Sequence, residues 1–280
     1  MQHSDRMINE NLSHRITIRV GRETLSFAMP NDEGKVVFEP YTVRSGISMA
    51  ANLREAFKTS EFLLSASTRA RVFIDSDVLM IPVDQFEEKQ METLFFHSFP
   101  DRAGETVFHQ VLPGLNAVAV SSVNKDLKLV LDDHFRDVRL LSAMSPVWHH
   151  MHQRNFTGNH RKLYGYFHEH RLEVFSFQQN RFKFFNSFAV RHRGDAVFYL
   201  LYVWNQLQLS PQGDELHLVG DMFQDTSSAM SAEREELLAE LRRFLAKVYV
   251  INPSAEFNRA QVTELKNMPY DLQTFFVKGK

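Results

Sequence analysis

Arg19 and Arg22 flank Gly21 in the stretch HRITIRVGRETLSFAMP, residues 14–30, where a strand, a tight turn and a second strand are expected. Two guanidinium groups beside a glycine turn offer planar, permanently charged donors to a phosphate or a carboxylate. A hairpin that handles phosphate through a metal needs other residues: an acid to hold Mg²⁺, and several glycines so that backbone N–H groups come close. Here Gly21 stands alone between the arginines. The plainer reading makes Arg19 and Arg22 solvated charges on a surface hairpin. The richer one gives them an anion to hold.

Acids and histidines supply the other reactive groups. Asp75, which ends the β-rich run RARVFID, and Asp77 just after it could supply half of a two-metal nuclease site, but the first strand, ITIRV, carries no acid to complete it. Histidine is plentiful, at 13 residues, with His149, His150 and His152 close together and His168 and His170 on one face of a regular strand. A zinc site needs three or four such ligands converging, and nothing in the spacing brings the two groups together. These histidines are expected to be exposed or in a linker. No GxSxG, HExxH or GxxxxGK[ST] string occurs, so nucleophile-elbow, zincin and P-loop chemistry have no support.

The elements that position these residues are legible from periodicity. ITIRVG, ETLSFAMP and KVVFEPYTV read as three strands, punctuated by Gly21 and by residues 31–34. SGISMAANLREAFKTSEFL then reads as a helix, with Met49, Leu53, Ala56 and Phe57 on one face, and RARVFID as a strand. The order is βββαβ. A βαββα unit follows at about residues 77–134: VLMIPV, the helix QFEEKQMETLFFHSF, a hairpin around Gly114 and the helix NKDLKLVLDDHF. The strand VRLLSAM leads into PVWHHMHQRN, and the polar stretch 154–162 reads as a link.

Beyond that link the first theme returns. KLYGYFHEH, LEVFSFQQ and FKFFNSFAV are three strands turning near His170 and Arg171 and at Asn180, followed by a helix with Val197, Leu200, Leu201, Trp204 and Leu207 in its stripe and the strand ELHLVGD. Ser231 is positioned to cap the next helix, with Glu233, Glu235 and Glu236 in its first turn, Arg242, Arg243 and Lys247 towards its end, and Leu237, Leu241, Phe244 and Val248 as its stripe. A strand VYVIN and a tail containing Pro253 and Pro269 complete the chain. Two βββαβ units predict an α/β architecture of mixed sheets in two lobes, 1–153 and 154–280.

In this order of elements the chain resembles the actin-like ATPase superfamily, whose two lobes are each RNase H-like sheets. The inserted βαββα unit is similar to that of the bacterial branch containing the pilus-assembly protein PilM and the cell-division protein FtsA. The run NAVAVSSVNKDLKLVLDDHFRDVRLLSAMSPVWHHMH carries the local likeness, and a bacterial family of unknown function with this fold is the more specific match. The resemblance implies an Asp and glycines on the first hairpin of each lobe, and an adenosine-binding strand ending in two glycines. Arg19, Gly21 and Arg22 stand at the first hairpin, Glu169 is the acid of the second, and Gly220 and Asp221 end the third motif. Replacing a metal-side acid by arginine removes several kcal/mol of transition-state stabilisation, so hydrolysis is disfavoured, while anion or nucleotide binding without turnover stays open.

Composition narrows the functions further. A formal net charge of -2 offers no global field for nucleic acid or an anionic membrane. No run approaches the roughly 20 apolar residues of a membrane span, and the polar N-terminus lacks a signal peptide's apolar stretch, so the cytoplasm is expected. Cysteine is absent and the 25 Phe residues argue for core packing rather than base stacking. The expectation is a non-catalytic scaffold or adaptor with no cofactor, binding another protein through the inserted unit, with self-association left open. The alternative is a nucleotide-dependent ATPase or switch with ATP and Mg²⁺ in the inter-lobe cleft.

Overall fold

The computed structural model describes residues 15–278, apart from 32, 65–67, 157–158, 179–180 and 225–227. Its first sheet is built from β1 (Ile16–Val20), β2 (Leu25–Pro30), β3 (Val36–Tyr41), β4 (Arg69–Ile74) and β8 (Asp137–Ser142), in the order β3-β2-β1-β4-β8. β1, β2 and β3 pair antiparallel, whereas β4 and β8 join in parallel. Alternation along β1 divides its side chains between two faces. Ile16, Ile18 and Val20 face α1 (Met49–Thr59), and Thr17 and Arg19 face the other way. Helix α1 starts at Ser48, whose hydroxyl accepts from the Ala51 N–H at 3.2 Å, and it buries Ala50, Leu53 and Ala56.

The second sheet repeats this order with β9 (Lys162–His168), β10 (Arg171–Gln178), β11 (Arg181–Ala189), β12 (Glu215–Gly220) and β13 (Val248–Val250), arranged β11-β10-β9-β12-β13. The expected turn at Asn180 lies outside the described residues. The mixed α/β architecture inferred from the strand pattern is therefore present in both sheets.

Between β4 and β8 lie β5 (Val78–Pro82), α2 (Met91–Ser98), β6 (Thr106–Leu112), β7 (Ala117–Val123) and α3 (Lys125–His134). The three strands form their own sheet, β5-β7-β6. Helix α2 is shorter than its sequence pattern: of the residues before Met91 in that pattern only Phe86 packs against the inserted core, and the preceding residues wind only as 3-10 turns. Helix α3 turns away from the inserted sheet and packs beside α1, placing Leu127, Val130 and Leu131 in the core of the first sheet.

Three expectations about the second half need correction. The helix α6 runs Ser228–Leu241, so Ser231 lies one turn inside it rather than at its cap. Phe244 falls beyond the helix, loses the helical phase and is 53% exposed, while Leu245 turns inward instead. The tail also folds: after helices α4 (Ser145–Asn155) and α5 (Arg193–Gln206), the chain ends in α7 (Tyr270–Lys278). Residues Val262, Met268 and Leu272 return to the first sheet and cover Ala28 and Phe73 on its second face. Each fully buried side chain of this kind contributes about 1.5–3 kcal/mol.

Candidate functional site

The first hairpins of the two sheets meet head to head. β1 ends at Val20, Gly21 turns the chain, and Thr24 returns it to β2, while β9 ends at His168 and the turn Glu169–His170 leads into β10. Glu169 and His170 both hold positive φ, 42° and 59°, without being glycine. Such left-handed pairs cost of the order of 1–2 kcal/mol per residue and persist where surrounding contacts fix them. Here those contacts come from the opposite sheet.

Arg19 is 1% exposed, so the solvated-edge reading of this residue is overturned. Its Nε donates to both oxygens of Asp271 on α7, at 3.1 and 2.9 Å, and its Nη1 donates to Glu169 Oε1 at 2.6 Å and to Thr24 Oγ1 at 3.0 Å. Glu169 in turn accepts from the Glu23 N–H at 2.7 Å and the Thr24 hydroxyl at 2.7 Å. The carboxylate thus takes a guanidinium, a hydroxyl and a backbone N–H, the donor set that an external anion would require. Burial opposes its charge, but Arg19 and these donors hold the Glu169 carboxyl below the ordinary value. Gly21 makes this approach feasible, since a Cβ there would lie 2.1 Å from Glu169 Oε1. Its lack of a side chain serves Glu169.

Arg22 bridges to a second cluster. It meets Asp75 at 3.5 Å and Asp77 at 2.8 Å, and Asp77 also accepts from Arg102 Nε at 2.8 Å. His168, 3% exposed, stands between two carboxylates: Nδ1 is 3.2 Å from Asp75 and Nε2 3.2 Å from Glu173. Burial disfavours its charged form, yet Asp75 and Glu173 outweigh that and raise its pKa to about 10. Burial likewise opposes the Asp75 charge, and His168, Arg19 and Arg22 drive its pKa down. Asp75, His168 and Glu173 have ligand-type atoms within 4.8 Å of one another, the spacing of a metal site. An imidazole with a carboxylate on each nitrogen, however, is the geometry of a doubly paired imidazolium. An ion would have to take a ring nitrogen from its carboxylate, against a pKa raised to about 10 that keeps the ring protonated at neutral pH.

Asp221 and Gly220 lie at the end of β12. Gly220 has φ 118°, and a Cβ there would lie 1.9 Å from the Phe167 carbonyl oxygen, so glycine is required for β12 to lie against β9. Asp221 is accessible on a cavity wall, yet the protein crowding it displaces enough water to raise its carboxyl above the ordinary value. Arg19, Glu169 and Asp221 line this cavity of about 1290 Å³ between the sheets, together with Tyr41, Leu238 and Gln273. Gly21, Arg22 and Gly220 contribute no lining. Sequence reasoning had no means of finding Asp271, the partner of Arg19 from 252 residues away. Arg19 Nη2 remains without a hydrogen-bond partner.

The remaining histidines disperse. His170 sits in the turn rather than on a strand face with His168. His150 and His152 are buried in α4, at 4% and 8% exposure, which corrects the expectation of exposed or linker positions. His150 lies 2.8 Å from Glu256, His152 packs on Phe156 and Phe177, and His149 bonds the Ser145 carbonyl within its own helix. No helix among the described residues is long and apolar enough to cross a membrane.

Comparison with known proteins matches this geometry to a fold. A family model described as "Protein of unknown function (DUF3822)" matches residues 4–248. A Bacteroides thetaiotaomicron protein with an actin-like ATPase fold and unknown function is similar at 27% identity and TM-score 0.80, over 96% of this chain and 97% of that one. The PilM–PilN type IV pilus biogenesis complex contains a chain similar at 13% identity and TM-score 0.52, over 96% and 98%. A search of curated proteins finds no match. The two sheets and their insertion are the actin-like ATPase fold.

Proposed function

The chain belongs to the DUF3822 family, and we propose that it serves as a non-catalytic, cytoplasmic scaffold or adaptor that binds a protein partner. The observation that carries this reading is the position of Glu169, whose carboxylate fills the gap between the two first hairpins and takes donors from both the side chains and the backbone of the opposite one. A phosphate needs that gap and those donors. Arg19, tied at once to Glu169 and Asp271, stands where the resemblance calls for a metal-side acid. On this reading neither support of phosphoryl transfer is provided for at the hairpins, since Arg19 replaces the acid that would hold an ion and Glu169 already takes the backbone N–H of Glu23. The likeness to the pilus-type protein, solved in complex with PilN, supports partner binding. The inserted sheet β5-β7-β6 is the module we assign to it, through strand addition or groove docking.

The rival reading is a nucleotide-dependent enzyme or switch, and the cavity of about 1290 Å³ favours it. Thermal unfolding with and without ATP and Mg²⁺ separates the two. A ligand at 100 times its dissociation constant adds about 2.7 kcal/mol to native stability, a shift of several degrees. The scaffold reading expects no saturable shift. A shift that saturates with ATP and disappears in Asp221→Asn overturns it.

A further inference from the structure

We infer that the cavity between the two sheets, on its β3 side, receives an extended peptide segment of a partner protein, which pairs with the free edge of β3 and makes its other polar contacts through main-chain amides. The register of the first sheet places Arg19 beside Ser26 and Ser26 beside Pro40. All three line the cavity, so this row of the sheet runs along its wall out to the edge strand. Backbone bonding along an antiparallel edge strand alternates between inward and outward residues. The Asn31 N–H bonds the Lys35 carbonyl, which turns Val36 to the outside, and Phe38 and Pro40 follow it there. One outward rung is already made in the manner of an added strand: the Gln261 amide accepts from the Val36 N–H at 3.1 Å and donates to the Val36 carbonyl at 2.9 Å. Phe38, the next outward residue, lines the cavity, and no hydrogen bond from the described residues reaches its N–H or C=O on that side. Pro40 adds a carbonyl but no N–H, which ends the ladder there.

The same cavity is lined by two buried side chains, each with an atom that has no hydrogen-bond partner among the described residues. One is a donor, Arg19 Nη2, and the other an acceptor, Gln273 Oε1 on α7; the two residues are 1% and 3% exposed. The Gln273 amide is oriented, since its Nε2 donates to the Met268 carbonyl at 2.7 Å and leaves Oε1 for another donor. Unpaired buried polar atoms are costly to keep, and a ligand that pairs them recovers that cost.

These groups select the occupant. Glu169 and Asp271 already share the Arg19 charge, so an anion at Nη2 meets two carboxylates, whereas a neutral carbonyl takes the donor without repulsion. A peptide main chain supplies a carbonyl for Arg19, an N–H for Gln273 and both for Phe38, repeated at intervals of about 3.3 Å. The volume of about 1290 Å³ exceeds the roughly 300–1,000 Å³ of ordinary small-ligand pockets and suits a segment of several residues. Main-chain recognition of this kind tolerates many sequences. The inference rests on the scaffold reading, in which Glu169 holds the place of a phosphate, and it gives the partner a contact apart from the inserted sheet.

The test uses the full chain and a fluorescein-labelled octapeptide of alternating Gln and Thr, blocked at its C-terminus, with a counterpart N-methylated throughout, followed by fluorescence anisotropy. Saturable binding of the first peptide is expected, weakened at least about tenfold by N-methylation and at least about fivefold in Gln273→Met, which keeps the side chain's length and removes its amide. Circular dichroism and the melting temperature show whether the variant is folded. If it folds poorly, hydrogen exchange on the parent chain decides: saturating peptide should slow exchange of the Phe38 N–H at least about tenfold. Absence of saturable binding, equal binding of the two peptides, unchanged binding by the folded variant or unchanged Phe38 exchange overturns the inference. A peptide-free dimer that the octapeptide dissociates, seen by sedimentation velocity, assigns the edge to a second copy of the chain and also overturns it. Failure of the peptide without an ATP-dependent shift in melting sinks this site alone, whereas an ATP-dependent shift sinks the scaffold reading.

Discussion

Raising the pH from 6.5 towards 10 acts selectively on the clamp around His168, because that histidine is held charged in the folded protein up to about 10 and titrates near 6.5 when unfolded. Between these values the folded state keeps a proton that the unfolded state has released. Stability therefore falls as pH rises, by at most about 1.4 kcal/mol per pH unit. Across the window of 6.5 to about 10 the ceiling is about 5 kcal/mol, enough to remove much of the stability of an ordinary domain. The contribution is complete below pH 6.5 and disappears as the pH passes the folded value. His134 and His217 carry the opposite sign: burial lowers their pKa values, so their effect falls at and below 6.5, outside the window. Urea unfolding at successive pH values, with the midpoint and slope both recorded, measures the decline. His168→Gln should start from lower stability, because Asp75 and Glu173 lose the charge between them, and should then stay nearly level across the window. A parent protein whose stability is flat from neutral pH to about 9.5, or a variant with the parent's slope, refutes the reasoning.

Two further substitutions test the junction of the hairpins. Glu169→Ala leaves Arg19 with Asp271 as its one paired carboxylate and should lower stability by about 3 kcal/mol, read as a reduced urea midpoint at neutral pH. A loss below about 0.5 kcal/mol would place the pair among weak surface contacts. Gly220→Ala should cost more than about 4 kcal/mol or prevent folding, since the new Cβ meets the Phe167 carbonyl at a φ of 118°, and soluble expression with an unchanged melting temperature would contradict the geometry.

Local rules made the sheets legible. Alternating β-branched and aromatic runs, with turns at Gly21 and Gly34, contain the information that builds a strand. Of the expected helical stripe, Leu53 and Ala56 are buried and Met49 and Phe57 pack partly buried against the same core, so the spacing likewise declares which face is covered. The tail did not read as a helix because its meaning is tertiary: Asp271 and Leu272 gain their partners only when the chain returns to the first sheet. Arg19 was singled out by type and position, but its burial was invisible, since a charged side chain is buried only with partners that lie far along the chain. Phe244 misled for a related reason. Its spacing continues the stripe of Leu237 and Leu241, yet periodicity carries no record of where the backbone leaves the helix.

The chemistry of the junction also bears on why ions occupy it. Buried pairs seldom stabilise a fold more than apolar side chains of equal volume would, because desolvation consumes most of the Coulombic gain. Cross-sheet contacts from Arg19 to Glu169 and from Asp75 to His168 are thus a poor means of merely holding two sheets together. They are directional, and an apolar contact is not: a guanidinium shared between Glu169 and Asp271 tolerates little rotation of one hairpin against the other. A cleft that binds and releases a ligand between two hairpins must let them part. In the present arrangement that parting strands the Arg19 charge and relieves the left-handed turn at Glu169 and His170. Fixed relative orientation is what the proposed scaffold role requires of this fold, and these ion pairs are placed to supply it.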